Sequence, residues 1–360
     1  MVTIPARQRN RSATASSDDE AEVSDDQTGT VQVTDPGGES APVQDRGPTP
    51  SALLPAPLAA QHPGATPASG MKLVRALVRE ARPKQWVKNF LVLTAPLAAG
   101  RINESAVLRA SAIAFAAFCL AAAVYYANDA LDVEADRMHP KKRHRPIAAG
   151  LIPIRLAWGM VVVLSIAALG VSLAANPATA AVIAVYLAMH LSYSAWFKHI
   201  LVLDLALVAG GFLLRAMIGG VAADIPLSQW FLLTTAFGSL FMVAGKRHSE
   251  MILMGEAAAT TRKSLAAYSE SYLRFVWQMA AGLTILTYAL WAFNLSQNTA
   301  GVNWHEISIV PWSFLFLRYA MFVDAGNAGE PEDVLLGDRV IMAIAAIWLA
   351  CFALGVFYAS

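Results

Sequence analysis

Residues 107–137 read VLRASAIAFAAFCLAAAVYYANDALDVEADR. The part from 107 to 128 is apolar, with Arg109 as its only charged residue. A helix needs about 20 such residues to cross the hydrocarbon core of a bilayer, which is about 30 Å thick. The run is followed by three aspartates, Asp129, Asp132 and Asp136. This stretch therefore predicts a membrane-spanning helix that carries an acidic cluster where it leaves the membrane.

The rest of the chain continues the apolar pattern. Of the 360 residues, 56% are hydrophobic and only 15% are charged, whereas soluble domains carry roughly a quarter charged residues. We therefore interpret the chain as an all-α polytopic membrane protein with about nine transmembrane helices. The predicted spans are 87–101, 107–128, 156–174, 178–194, 200–220, 229–245, 274–294, 306–322 and 340–358.

The basic residues predict which ends of these spans face the cytosol. They cluster before the first span and after the second, fourth and sixth, while the loops between are nearly free of them. By the positive-inside rule the N-terminus and the loops after even-numbered spans are cytosolic. The loop 324–338 is mostly acidic, but acidic residues weigh little in this rule. We predict a multi-pass plasma-membrane protein with its acidic cluster on the cytosolic side.

Residues 1–70 differ in composition from everything that follows. They are rich in Ser, Asp, Glu, Gly and Pro and lack periodic apolar positions, which predicts a disordered cytosolic tail. The catalytic domain is predicted to span 71–360. Cys119 and Cys351 lie in apolar runs and are expected to be small hydrophobic side chains. A net charge of +1 does not suggest nucleic acid as a partner.

The spacing of the acids suggests a metal site. On a continuous helix, positions i, i+3 and i+7 share a face, so we expect Asp129, Asp132 and Asp136 to point the same way. Asn128 adds a neutral oxygen. Three carboxylates at a membrane boundary repel one another, and Mg²⁺ is bound by one or two carboxylates together with substrate phosphates. The predicted metal site is Asn128, Asp129 and Asp132, joined by Asp204 in the fifth span, which needs either Lys198 or the same metal as a partner.

Basic residues on the same predicted face suggest an anionic substrate. Singly they are ordinary positive-inside charges, but together they form an electropositive chamber suited to several phosphate groups. Arg215, deeper in the fifth span, is expected to be structural. The chain has no motif for ATP hydrolysis, nicotinamide chemistry, or zinc or serine hydrolysis. The candidate substrate-binding residues are Lys88, Tyr125, Asn128, Lys142, Arg145, Tyr193, Lys198, Lys246, Arg247, Arg262 and Lys263.

The acidic pattern NDxxDxxxD after the second span resembles the UbiA superfamily of intramembrane prenyltransferases. That resemblance implies a helical bundle, typically of nine spans, which binds a Mg²⁺–diphosphate in a cavity on the cytosolic side. Typical members also carry a second acidic motif, DxxxD. The corresponding region here, 193–204, has Asp204 but no DxxxD.

Longer blocks resemble one branch of the superfamily, the actinobacterial phosphoribosyltransferases that act on polyprenyl phosphate. The blocks include RPKQWVKN (82–89), DVEADRMHPKKRHRPIAAG (132–150), GGVAADIPLSQWF (219–231) and FGSLFMVAGKR (237–247). The resemblance implies transfer of a 5-phosphoribosyl group from phosphoribosyl diphosphate to decaprenyl phosphate for arabinan of the cell wall, with release of pyrophosphate. The catalytic acids it implies are Asp129, Asp132 and Asp136.

Two other functions are left open by the residues themselves. An aromatic prenyltransferase would share the first acidic motif but should also have the second. A transporter would favour inverted repeats and acids near the membrane midplane, and neither is evident. Homo-oligomer formation is also left open, since the glycine pairs 210–211 and 219–220 allow close helix packing within a protomer or between protomers.

Overall fold

The computed structural model describes residues 68–139, 141–254, 267–296 and 302–358, and within these ranges it contains helices and no strand. The α-helices, in chain order, are α1 (Gly70–Glu80), α2 (Thr94–Ala98), α3 (Ser105–Leu120), α4 (Ala123–Leu131), α5 (Val133–Met138), α6 (Ile154–Leu173), α7 (Pro177–Ala195), α8 (Leu203–Ala222), α9 (Gln229–Met254), α10 (Glu270–Ser296), α11 (Trp304–Ile307), α12 (Ile309–Asp324), α13 (Pro331–Gly337) and α14 (Arg339–Tyr358). Three 3₁₀ segments, Pro83–Leu93, Lys142–His144 and Phe197–His199, join them. The predicted all-α membrane class is confirmed, whereas the predicted tail lies almost entirely outside these residues.

Seven helical segments of the described chain are long and apolar enough to cross a membrane, so the predicted count of nine is not confirmed. The predicted first span is not a continuous α-helix. Arg82 has a φ of 51°, Pro83 follows it, and the backbone continues as a 3₁₀ helix to Leu93. The predicted sixth span lies within α9, which is long but carries serines, threonines and the Lys246–Arg247 pair.

Helix α8 joins two groups of packed helices. One buried cluster gathers side chains from α3, α4, α7 and α8, including Phe118, Tyr186 and Ile218. Another gathers side chains from α8, α9, α10 and α12, including Phe241 and Trp277. Because α8 contributes to both clusters, its side chains lie between the two groups, which is where a central cavity forms.

Glycines let α8 approach its neighbours closely. A Cβ on Gly219 would lie 1.7 Å from the carbonyl oxygen of Val92, and a Cβ on Gly211 would lie 2.5 Å from His190 Nε2. Gly220 is similarly close to Leu227. These glycines therefore serve packing within the protomer.

Helix α1 precedes the bundle and is amphipathic. Its apolar residues Met71, Val74 and Val78 are exposed, while its opposite side packs on α4 and α6. Tyr126 on α4 donates a hydrogen bond of 2.5 Å from its hydroxyl to the carbonyl of Leu77. This contact fixes the end of α1, and with it Glu80 and Arg82, against the acidic end of α4.

Candidate active site

Asp129 lies at the centre of a buried network of charges. Its side chain is 1% exposed, and Arg82 Nη2 contacts its two carboxylate oxygens at 2.5 and 2.7 Å. Arg145 Nη1 donates to the same carboxylate at 3.1 Å, and Asn128 donates to it at 3.1 Å. Two arginines that are distant in sequence therefore satisfy one carboxylate of the acidic pattern.

Arg145 also links Asp129 to Asp136. Its Nη1 lies 2.6 Å from Asp136 Oδ2, and Lys142 Nζ lies 4.0 Å from Asp136 Oδ1. Burial raises the pKa of Asp136, and the charge of Arg145 partly opposes that rise. Asp129 and Asp136, seven residues apart, thus lie close together as the spacing predicts, and one guanidinium connects them.

Asp132 lies at the junction of two helices and has a partner of its own. Helix α4 ends at Leu131 and α5 begins at Val133, because Asp132 itself has a non-helical ψ of 9°. The Asp132 side chain is 30% exposed and forms an ion pair with Lys198, which lies in the 3₁₀ turn between α7 and α8. Asp132 therefore meets a different cation from Asp129 and Asp136, and the expectation that all three acids share one face stays a prediction for it.

Asp204 has partners other than those considered from the sequence. The hydroxyl of Tyr268 donates to its Oδ1 at 2.5 Å, and Arg247 Nε lies 3.7 Å from its Oδ2. Lys198, the partner considered from the sequence, forms an ion pair with Asp132 instead. In the described residues Oδ2 of Asp204 accepts no hydrogen bond, and its role as a metal ligand stays a prediction.

A cavity of about 1040 Å³ opens beside this network and runs into the helical bundle. Among the described residues its lining includes five cationic side chains and no aspartate or glutamate. Its far part is aromatic, with Tyr288, Trp312 and Trp348 in mutual contact. The cationic side chains are Arg82, Lys88, Arg215, Lys246 and Arg247.

Most of the predicted substrate residues meet at this cavity. Tyr125, Asn128, Tyr193, Lys88, Lys246 and Arg247 line it, whereas Lys142, Arg145 and Lys198 belong to the network of charges beside it. Lys246 lies 3.7 Å from Glu330 and 4.0 Å from Glu250. Arg262 and Lys263 lie outside the described residues.

Three residues of the site are absent from the sequence-based set. Arg82 contacts Asp129, and its guanidinium carbon lies 4.9 Å from the ring centre of Tyr125. Glu80 is 1% exposed. Its pKa is raised to about 8, mainly by burial and also by its contact with Asp129. Arg215 lines the cavity. The sequence signal for Arg82 is Pro83, because a proline disfavours α-helical backbone at the residue before it.

The oxygen ligands fit a magnesium ion shared with a diphosphate better than one held by protein alone. In the described part of the chain no three His, Cys, Asp or Glu side chains surround a common point. Mg²⁺, however, needs only one or two carboxylates when phosphates supply other ligands. Asp132 is partly exposed and Asn128 lines the cavity, so both have oxygens available for such an ion.

A family model and two similar proteins point to the same family. A family model, the UbiA prenyltransferase family, matches residues 89–336. The decaprenyl-phosphate phosphoribosyltransferase of Corynebacterium glutamicum is 51% identical over 292 residues, covering 79% of this chain and 88% of that protein. The enzyme of the same name from Mycobacterium tuberculosis is 50% identical over 283 residues, covering 77% and 93%.

Solved structures show the same fold at low sequence identity. A UbiA homolog from Archaeoglobus fulgidus bound to GPP and Mg²⁺ superposes with a TM-score of 0.61 at 16% identity, covering 79% of this chain and 99% of that one. A digeranylgeranylglyceryl phosphate synthase structure gives 0.58 at 17% identity, covering 80% and 100%. Because the family model matches most of its length and the relatives named above are about 50% identical to it, the chain belongs to the UbiA prenyltransferase family.

Proposed function

We propose that this protein transfers the 5-phosphoribosyl group of phosphoribosyl diphosphate to decaprenyl phosphate and releases pyrophosphate. The observation that carries the proposal is the cavity, whose cationic lining meets the buried acids at one end and aromatic side chains at the other. Such a cavity suits a phosphorylated sugar together with a lipid phosphate. Relatives about 50% identical over most of the chain bear the name of this activity.

The residues divide by the substrate group that they contact in this proposal. Lys88, Tyr125, Lys142, Arg145 and Lys198 bind the oxygens of the sugar diphosphate and its 5-phosphate, with Arg82 added from the structure. Lys246, Arg247, Arg262 and Lys263 bind the lipid phosphate or cover the cavity on the cytosolic side. Tyr193 also lines the cavity.

A magnesium ion is part of the proposal. Asn128, Asp129 and Asp132, with Asp136 behind them, are the residues that hold it. When bound, Mg²⁺ neutralises charge on the departing diphosphate. Solved members of the family contain this ion, and the partial exposure of Asp132 supports its role here.

The reaction exchanges one bond at the ribose C1. The bond from C1 to the diphosphate oxygen breaks, positive charge develops on the sugar, and an oxygen of the lipid phosphate forms the new bond to C1. The lipid phosphate is already anionic, so no general base is required. The basic residues stabilise the charge that accumulates on pyrophosphate as it leaves, and catalysis rests on this and on positioning.

The wider setting is proposed from the sequence. The positions of the basic loops support a plasma-membrane protein with its site on the cytosolic side. Residues 71–360 form the catalytic domain and residues 1–70 a separate tail. The product is a donor precursor for arabinan of the cell wall.

The test uses purified protein in detergent with Mg²⁺, decaprenyl phosphate and phosphoribosyl diphosphate labelled in the ribose. We expect label in the lipid phase, lost on addition of EDTA and strongly reduced in Asp132→Asn. An Asp132→Asn enzyme with full activity and unchanged Mg²⁺ dependence would contradict the metal assignment. Absence of label, with turnover of a prenyl diphosphate and an aromatic acceptor instead, would assign the protein to the aromatic prenyltransferases.

A further inference from the structure

Arg215 is a buried arginine in the membrane-embedded part of the cavity. It is 7% exposed and lies on α8, eleven residues beyond Asp204, which is about 17 Å along a helix. Its Nε donates to Asn89 Oδ1 at 3.1 Å, its Nη1 to the carbonyl of Gly211 at 3.0 Å and its Nη2 to the hydroxyl of Tyr186 at 2.5 Å. These acceptors are all neutral.

The positive charge of Arg215 is not balanced by a carboxylate in the described residues. No ion pair involves it there, and the cavity that it lines includes no aspartate or glutamate in the same ranges. Its guanidinium carbon lies instead 4.9 to 5.7 Å from the ring centres of Tyr186, Phe118 and Phe212. A charge held among helices within a membrane is costly without a partner, and such residues mark ligand sites. Three of its five N–H groups have acceptors here, leaving others for a ligand.

Polar groups with ligand capacity surround this guanidinium. The Nζ of Lys88 lies 5.8 Å from the ring centre of Phe212, and the guanidinium carbon of Arg215 lies 5.7 Å from the same centre. His190, which also lines the cavity, has a buried Nε2 without a hydrogen-bond partner in the described part of the chain. Two cations that line the cavity thus lie within 6 Å of the centre of one ring.

We propose that Arg215 and Lys88 form a binding site for a phosphate monoester, which assigns Lys88 to a monoester and leaves the diphosphate to the site at Asp129 and Asp132. The proposal rests on the proposed function, in which two monoesters are present, namely the 5-phosphate of the sugar and the phosphate of the lipid. A guanidinium that cannot lose its charge and a nearby ammonium match a dianionic phosphate. Asn89 and Tyr186 hold the guanidinium in orientation.

The first experiment measures binding and does not depend on catalysis. Purified protein in detergent is titrated with ribose 5-phosphate and, separately, with farnesyl phosphate. We expect Arg215→Met and Lys88→Met to weaken binding of the same one of these two probes by about tenfold or more, since each removes a charged hydrogen-bond donor. Arg109→Met, at an exposed position on α3, is the matched control and should bind both probes like the wild type.

The choice of probe identifies the ligand group. Loss of ribose 5-phosphate binding assigns the site to the sugar, and loss of farnesyl phosphate binding assigns it to the lipid. Arg215→Lys keeps the charge without the planar fork and should retain part of the affinity, which keeps the test valid if Arg215→Met folds poorly. Unchanged affinities in folded Arg215→Lys and Lys88→Met would overturn the proposal. It would also be overturned if the Arg215 variants lost affinity for one probe and Lys88→Met lost affinity for the other.

Kinetics then separate this proposal from the proposed function. We expect the KM of the affected substrate to rise about tenfold in Arg215→Met and less in Arg215→Lys, with a smaller change in the KM of the other substrate. A wild-type protein that catalyses no phosphoribosyl transfer, yet binds a monoester in a manner dependent on Arg215, would contradict the reaction but retain the binding site. Equal effects on both KM values together with a lower melting temperature would indicate a structural arginine and overturn the site.

Discussion

At the scale of single residues, the site is a set of buried charges whose balance depends on contacts between distant parts of the chain. Arg82 and Arg145 surround Asp129, and Glu80 adds a second buried carboxyl beside it. Two adjacent buried carboxyls are tolerated when one of them keeps its proton. Glu80 is the carboxyl that keeps its proton, since burial raises its pKa to about 8.

Glu80 should make stability depend on pH. Its pKa is higher in the folded protein than its ordinary value of 4.5, so its contribution to stability is complete below about pH 4.5 and is lost as the pH rises through about 8. We expect the melting temperature of the wild type to fall relative to that of Glu80→Gln between about pH 5 and about pH 9. Glu134→Gln, at a carboxylate that is 80% exposed, is the control, and parallel curves for wild type and Glu80→Gln would contradict the assignment.

At the scale of elements, one ion pair joins the acidic end of α4 to the turn between α7 and α8. Asp132, at the junction of α4 and α5, pairs with Lys198 of the 3₁₀ turn Phe197–His199. In the proposed function Lys198 also binds substrate. Exchanging Lys198 and Asp132 should therefore separate the structural role of Lys198 from its role in binding.

We expect Lys198→Asp to lower both the melting temperature and the transfer rate. Adding Asp132→Lys restores an ion pair and should recover about 1 kcal/mol of stability, as is typical of partly exposed pairs. Activity should not recover, because the substrate-facing charges are exchanged. The same exchange at the exposed pair Arg101–Glu104 is the control. Recovery of activity in the double variant would show that the two residues act only through their pairing.

At the scale of the whole molecule, α8 holds the bundle together and forms one wall of the cavity. Its approach to the 3₁₀ segment Pro83–Leu93 depends on Gly219, whose missing side chain leaves room for the carbonyl of Val92. The same 3₁₀ segment carries Lys88 and Asn89. A shift between these two elements would therefore alter the packing and the cavity together.

Gly219→Ala should destabilise the protein by about 3 kcal/mol, because a close-packed interface does not accept an added methyl group without moving apart. The transfer rate should fall with it. Gly282→Ala on α10, where a Cβ would meet no atom within 4 Å, is the matched control and should melt at or slightly above the wild-type temperature. Thermal unfolding in detergent measures both, and equal behaviour of the two variants would contradict close packing at Gly219.

The sequence by itself determined the all-helical membrane class, since apolar runs of the required length have no other stable form in a bilayer. It also indicated that Asp129 and Asp136 lie close together, because seven residues are about two helical turns, and Arg145 contacts both although they lie on α4 and α5. The Arg82-Pro83 and Asp132 breaks were not predicted, since apolar periodicity does not report a single residue that leaves helical geometry.

Only the tertiary structure decided which charges meet. Asp129 contacts Arg82, 47 positions away in the chain, and Asp132 contacts Lys198, 66 positions away. Arg215 was expected to be structural and lies in the cavity wall with Asn89, 126 positions away. Such pairings depend on how the helices pack, which many side chains determine together. A local sequence pattern does not report that packing.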